Sequence, residues 1–228
     1  MTKDRMAVLA AMIDQGVIPI VYHPDTEICR NIIQACVNGG AMCVEFTNRG
    51  DFAAYEFYEM ARYFASTDPN VIMGAGSVVD SPTAAIYIAS GARFVIGPGL
   101  NPGVAKLCNR RKIPYTPGCA SVTEITRAEE LGCEIVKIFP GDSVGGPDFV
   151  KAILGPCPWT RIMATGGVDS TEESLRGWFE AGVACVGMGT KLITKELLVK
   201  QDYEGIEVRI RDTLQLVRAI RGQATRER

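Results

Sequence analysis

Eight short runs rich in valine and isoleucine constrain this chain more than any other feature. They are VIPIVY (17–22), MCVEFT (42–47), VIMGAG (71–76), RFVIGP (93–98), IPYTPG (113–118), EIVKIF (134–139), RIMATG (161–166) and ACVGMG (184–189). Each run is followed by Gly, Pro or Asp punctuation and then a helix-like segment, which is the pattern of a strand feeding a crossover helix. The repeat averages roughly 28 residues, the size of a compact βα unit. Strands apolar on both faces must be buried on both sides, as in a parallel sheet covered by helices. The expected fold is therefore an α/β (β/α)8 TIM barrel, with residues 1–228 as one domain. An open doubly wound sheet is the alternative, but no glycine fingerprint follows the first strand.

Three intervening segments carry their own start and stop signals. The stretch from Asp25 to Asn38 places Ile28, Ile32, Ile33 and Cys36 on one helical face. DSPTAAIYIASG (80–91) opens with Asp and Pro and closes with Gly. STEESLRGWFEAG (170–182) offers Ser170 or Thr171 as N-cap and Gly182 after the last turn. Two more helices fall outside the eight units, near 3–15 and near 204–221, the latter with Ile206, Ile210, Leu214, Val217 and Ile220 as a stripe.

Charge and cysteine content narrow the function. The net charge of −2 gives no electrostatic reason to expect nucleic acid or an anionic membrane as partner. Arg110-Arg111-Lys112 and the tail Arg226-Glu227-Arg228 are short charge runs, read as solvated surface. Eight cysteines include no C-x-x-C pair, and His23 is the only histidine, so the usual zinc spacings are absent and no metal is expected. Cysteines in AMCVEF and VACVGM read as small core residues of a cytoplasmic protein. No signal peptide or apolar run long enough for a membrane span is visible.

The polar residues of the strands fall late in each run, where barrels of this kind carry their active sites. Cys43, Glu45 and Thr47 share one face of their strand, and Ile135, Lys137 and Phe139 share one face of theirs. If both faces point inward, Lys137 and Glu45 enter the barrel together. The pair admits two readings. One is a buried ion pair, costly to desolvate. The other is an amine that condenses with a ketone beside a carboxylate that moves protons. Two glycine clusters, TGGV (165–168) and GMGT (187–190), follow the seventh and eighth strands, where many barrels bind phosphate. Backbone N–H groups at Gly166, Gly167 and Gly189 can approach an anion, and the Thr190 hydroxyl adds a donor. Arg49 offers a fork that fits a carboxylate. His23 is read as a loop residue, and GDSVGG (141–146) as a mobile loop beside Lys137.

Together VEFTNRG, GAGSV, GPGLNP, PGCASVTE, VKIFPG, ATGGV and VGMGT resemble, in order and spacing, the class I aldolases that cleave 2-keto-3-deoxy-6-phosphogluconate and 4-hydroxy-2-oxoglutarate. The resemblance runs roughly from Val17 to Leu192. It implies a pyruvyl Schiff base on Lys137, with Glu45 as the general acid/base. It further implies Arg49 and Ser77 on the substrate carboxylate and Phe139 and Pro98 as pocket wall. Thr165 would lie near the hydroxyls, with Gly166, Gly167, Gly189 and Thr190 on a distal phosphate. No cofactor is implied; the partners are a small keto acid substrate and two further copies of the chain in a homotrimer. Departures at Asn48, Ala164 and His23 bear on the far end of the pocket. An aldolase for the galacto epimer, and a sugar-phosphate barrel without imine chemistry, remain open from the residues alone.

Overall fold

The computed structural model describes residues 4–224; Lys3 and the tail Arg226-Glu227-Arg228 lie outside the described residues. Nine parallel strand segments and ten helices alternate along the described chain. The strands are β1 (Val17–Val21), β2 (Cys43–Thr47), β3 (Ile72–Gly76), β4 (Val95–Ile96), β5 (Tyr115–Thr116), β6 (Gly118–Cys119), β7 (Val136–Ile138), β8 (Ile162–Thr165) and β9 (Cys185–Met188).

Eight strands were expected and nine segments are found, because the fifth crossing is broken at Pro117. Proline has no N–H to give the ladder. The half before it pairs with β4, Val95 opposite Tyr115, and the half after it pairs with β7, Gly118 opposite Lys137. The sheet order begins at β5 and ends at β6, so its two ends meet within one five-residue stretch. Lys137 N–H donates to the Pro117 carbonyl at 2.8 Å, and Gly118 N–H donates to Gly97 at 3.1 Å. The result is a closed parallel (β/α)8 barrel.

Alternation along each strand divides the core in two. Outward positions such as Val44, Phe46, Ala75, Val136, Ile138, Ala164 and Val186 join the layer between barrel and helices. Inward positions Ile18, Cys43, Ile72, Phe94, Ile135, Met163 and Cys185 fill the lower barrel, and Val8, Leu9 and Met12 close it from below. Those last three lie on α1 (Arg5–Gln15), which is capped by Asp4 and ended by left-handed Gly16. Gln15 is buried at the junction. Its Nε2 donates to the carbonyls of Val17 and Cys43, and its Oε1 accepts from the N–H groups of Met42 and Cys43.

The expected helices form close to their sequence signals. They are α2 (Thr26–Asn38) behind Asp25, α4 (Ser81–Ala89) behind Asp80, α8 (Glu172–Ala181) between Thr171 and Gly182, and the long α10 (Tyr203–Ala224). The remaining helices are α3 (Ala53–Thr67), α5 (Pro102–Arg111), α6 (Val122–Glu130), α7 (Gly146–Leu154) and α9 (Lys195–Lys200). No described helix is long and apolar enough to cross a membrane. Seven cysteines are buried, and burial pushes thiols such as Cys119 and Cys185 up to about 12.

Candidate active site

The lower barrel is plugged by apolar side chains, so the upper layers have to hold whatever polar groups the strands carry. Glu45 on β2 and Lys137 on β7 both do, at 4% and 5% exposure. Burial lowers the Lys137 amine, and the neighbouring Glu45 and Cys119 only partly oppose it. Burial raises the Glu45 carboxyl from its ordinary 4.5 to about 7, against the pull of Lys137 and Arg49. Glu45 Oε2 is buried with no hydrogen-bond partner. A carboxyl in that state exchanges a proton near neutrality, and no hydrogen bond holds that oxygen to either form. The Lys137 Nζ lies 4.5 Å from the centroid of the Phe139 ring.

Room for these side chains comes from small neighbours. Gly76, on β3, lies against Glu45; a Cβ there would overlap the carboxylate itself. Glu45 is in register with Gly74, and Thr165 with Gly187, so large inward groups face residues without side chains.

Above this layer opens a cavity of about 420 Å³ at the C-terminal ends of the strands. Arg49, Phe139, Thr165, Gly166, Gly167, Gly189 and Thr190 all line it. Thr165 Oγ1 is buried without a hydrogen-bond partner. Gly166 and Gly167 have φ of 90° and 73°, a left-handed turn that side chains resist. Phe139, half-buried, links the cavity to Lys137 below.

Four of the sequence-selected residues do not line this cavity: Lys137 and Glu45, which lie buried in the barrel, and Ser77 and Pro98, at the ends of β3 and β4. Ser77 is left-handed, at φ 58°. Ala164 points outward into the packed layer and does not reach the cavity. Asn48 accepts a hydrogen bond from the Tyr87 hydroxyl at 2.8 Å, and His23 Nδ1 accepts from the Asp25 N–H at 3.1 Å, as a loop residue does. The segment 141–146, expected to be a mobile loop, is a hydrogen-bonded turn. Gly141 N–H donates to Thr165 at 2.8 Å and Gly146 N–H to Gly141 at 2.9 Å.

Sequence reasoning missed Tyr22, Met188 and Lys191 in the cavity wall. Only Lys191 left a signal, a cation placed directly after the GMGT cluster.

A closed parallel barrel with a destabilised amine and a neutralisable carboxyl beneath a glycine-rimmed mouth has the layout of a barrel enzyme. Comparison with known proteins names the kind. Residues 8–209 match the family model for KDPG and KHG aldolase. A 2-dehydro-3-deoxy-phosphogluconate aldolase of Treponema pallidum is 32% identical over 201 residues, 88% of this chain and 93% of the relative. The KHG/KDPG aldolase of Escherichia coli K12 is 30% identical over 200 residues, covering 87% and 91%. Among solved structures, the KDPG aldolase of Legionella pneumophila, described with pyruvate captured at low pH as a covalent carbinolamine intermediate, superimposes with a TM-score of 0.80. It is 28% identical, over 93% of this chain and 99% of that one. The chain belongs to the KDPG and KHG aldolase family, and it is a carbon–carbon lyase.

Proposed function

We propose that the protein is a class I aldolase that cleaves 2-keto-3-deoxy-6-phosphogluconate to pyruvate and glyceraldehyde 3-phosphate, or 4-hydroxy-2-oxoglutarate to pyruvate and glyoxylate. The observation that carries this reading is the burial together of the Lys137 amine, which burial lowers, and the Glu45 carboxyl, which has an unpartnered oxygen and which burial pushes up to about 7. The carbinolamine named for the Legionella relative supports the same chemistry.

In this mechanism the Lys137 amine attacks the substrate C2 carbonyl and forms a carbinolamine. Glu45 gives a proton to the departing hydroxyl, water leaves, and the iminium forms. Glu45, now a carboxylate, removes the C4 hydroxyl proton. The C3–C4 electron pair moves into the iminium, the aldehyde leaves, and a neutral enamine remains. Protonation at C3 and hydrolysis release pyruvate and restore the amine. Burial matters at two points: it favours the neutral, nucleophilic form of Lys137 more than water would, and it pushes the Glu45 carboxyl up toward neutrality.

Arg49 and Ser77 receive the pyruvyl carboxylate, with Phe139 and Pro98 as wall. Thr165 faces the hydroxyls of the aldehyde half. Gly166, Gly167, Gly189 and Thr190 hold the phosphate, their N–H groups brought close by the two glycine turns.

Borohydride reduction in the presence of pyruvate, followed by peptide mass spectrometry, tests the assignment. A reduced pyruvyl adduct on Lys137, lost in Lys137→Ala, is the expected result. A folded protein that gives no adduct overturns it.

A further inference from the structure

The geometry points to Lys191 as a further substrate-binding residue, a cation parked on Asp169 that transfers to the distal phosphate when a phosphorylated substrate enters. The inference rests on the phosphate assignment above. Lys191 lines the cavity directly after Thr190 in the chain, with Gly166 and Gly167 lining it too. Its Nζ lies 3.1 Å from Asp169 Oδ2, with 67% of the Lys191 side chain and 35% of the Asp169 side chain exposed. Asp169 follows the Gly166-Gly167 turn, so the pair bridges the two loops that form the anion cup.

Two features make this pair a holding position. First, an exposed lysine–carboxylate pair contributes little to stability, because water and salt screen it. A phosphate dianion beside the same ammonium offers more charge and more acceptor oxygens, so the ammonium is better placed on the phosphate. Second, the backbone beneath Lys191 is fixed independently of its side chain. Arg209 Nη2, on α10, donates to the Lys191 carbonyl at 2.9 Å and to Ser170 Oγ at 2.7 Å, tying both loops to one guanidinium. The Asp169 N–H is held by Ser174 Oγ at 3.0 Å. The flexible Lys191 stem can therefore move while the loops keep their spacing.

This arrangement gives the two partners opposite effects, which a purely structural ion pair does not. Wild type, Lys191→Met, Asp169→Asn and the double variant are assayed with 2-keto-3-deoxy-6-phosphogluconate and with the same sugar acid lacking its phosphate. Lys191→Met is expected to raise KM for the phosphorylated substrate about tenfold with kcat within about twofold, and to move the unphosphorylated KM less than about twofold. Asp169→Asn is expected to lower the phosphorylated KM by about two- to threefold, and that gain disappears in the Lys191→Met background. Equal losses on both substrates, or equal weakening by both single variants, overturn the role of Lys191. If pyruvate still traps on Lys137 in such a case, the aldolase reading stands alone. If trapping fails in the wild type, both readings fall.

Discussion

Glu45 is the residue on which the electrostatics of the site turn. Its folded-state pKa, about 7, lies above the ordinary 4.5 that it regains on unfolding. The protonated carboxyl is thus the form the fold tolerates. The stability this raised pKa confers is fully present below pH 4.5 and is lost as pH rises through 7. Glu45→Gln cannot ionise, so relative to wild type it should gain roughly 2–3 kcal/mol between pH 4.5 and pH 8. Urea denaturation at the two pH values reads this difference, and a gap independent of pH would contradict it. In the same variant, turnover should fall by about two orders of magnitude or more, because proton transfer loses its carrier. The sequence shows Glu45 and Lys137 as inward candidates by alternation alone, but not that Glu45 Oε2 lacks a partner. That depends on β3, whose Gly76 presses on the carboxylate from a strand about thirty residues away.

At the scale of elements, the fifth crossing is where the two ends of the strand order meet. The short pieces on either side of Pro117 join β4 to β7, and Gly118 passes so close to the Pro98 carbonyl that a Cβ would collide with it. Gly118→Ala should therefore cost about 1–3 kcal/mol, read by urea unfolding, since neither backbone can yield without loosening a ladder. An unchanged midpoint would mean the closure has slack. Gln15 works at the opposite end, satisfying four backbone groups at the starts of β1 and β2, on Val17, Met42 and Cys43. Gln15→Leu leaves buried donors and acceptors unpaired and should destabilise by roughly 2–4 kcal/mol in the same assay. Periodicity and capping residues made most helices legible, as with Asp25, Asp80 and Gly182. The break at Pro117 was not read from IPYTPG, where proline suggests a strand's edge; here that strand closes the sheet.

For the whole molecule, the helical layer leaves apolar side chains uncovered on one flank. Phe52 is 80% exposed at the start of α3, with Tyr55 beside it; the adjacent α4 leaves Ile86 exposed, and Val79, just before α4, is exposed as well. Such surface is what self-association covers. The homotrimer that the family resemblance implies would sediment at three times the 24.6 kDa chain mass, and if this flank is buried in it, Phe52→Asp should shift the population toward single chains. A wild-type protein that sediments as one chain at all concentrations would remove the trimer from the reading.

The sequence by itself determined the strand-and-helix alternation, the burial of both faces of each strand, and the late position of polar residues along the strands. Those follow from local rules: side-chain period, capping and turn residues act within a few positions. Only the tertiary structure decided that Lys137 and Glu45 are both buried inside the barrel, that Ala164 faces away from the cavity, and that Lys191 rests on Asp169. These depend on ring closure, which brings strands distant in sequence face to face and sets how much water each side chain keeps. No pattern along the chain records either quantity, because both arise when the last strand pairs with the first.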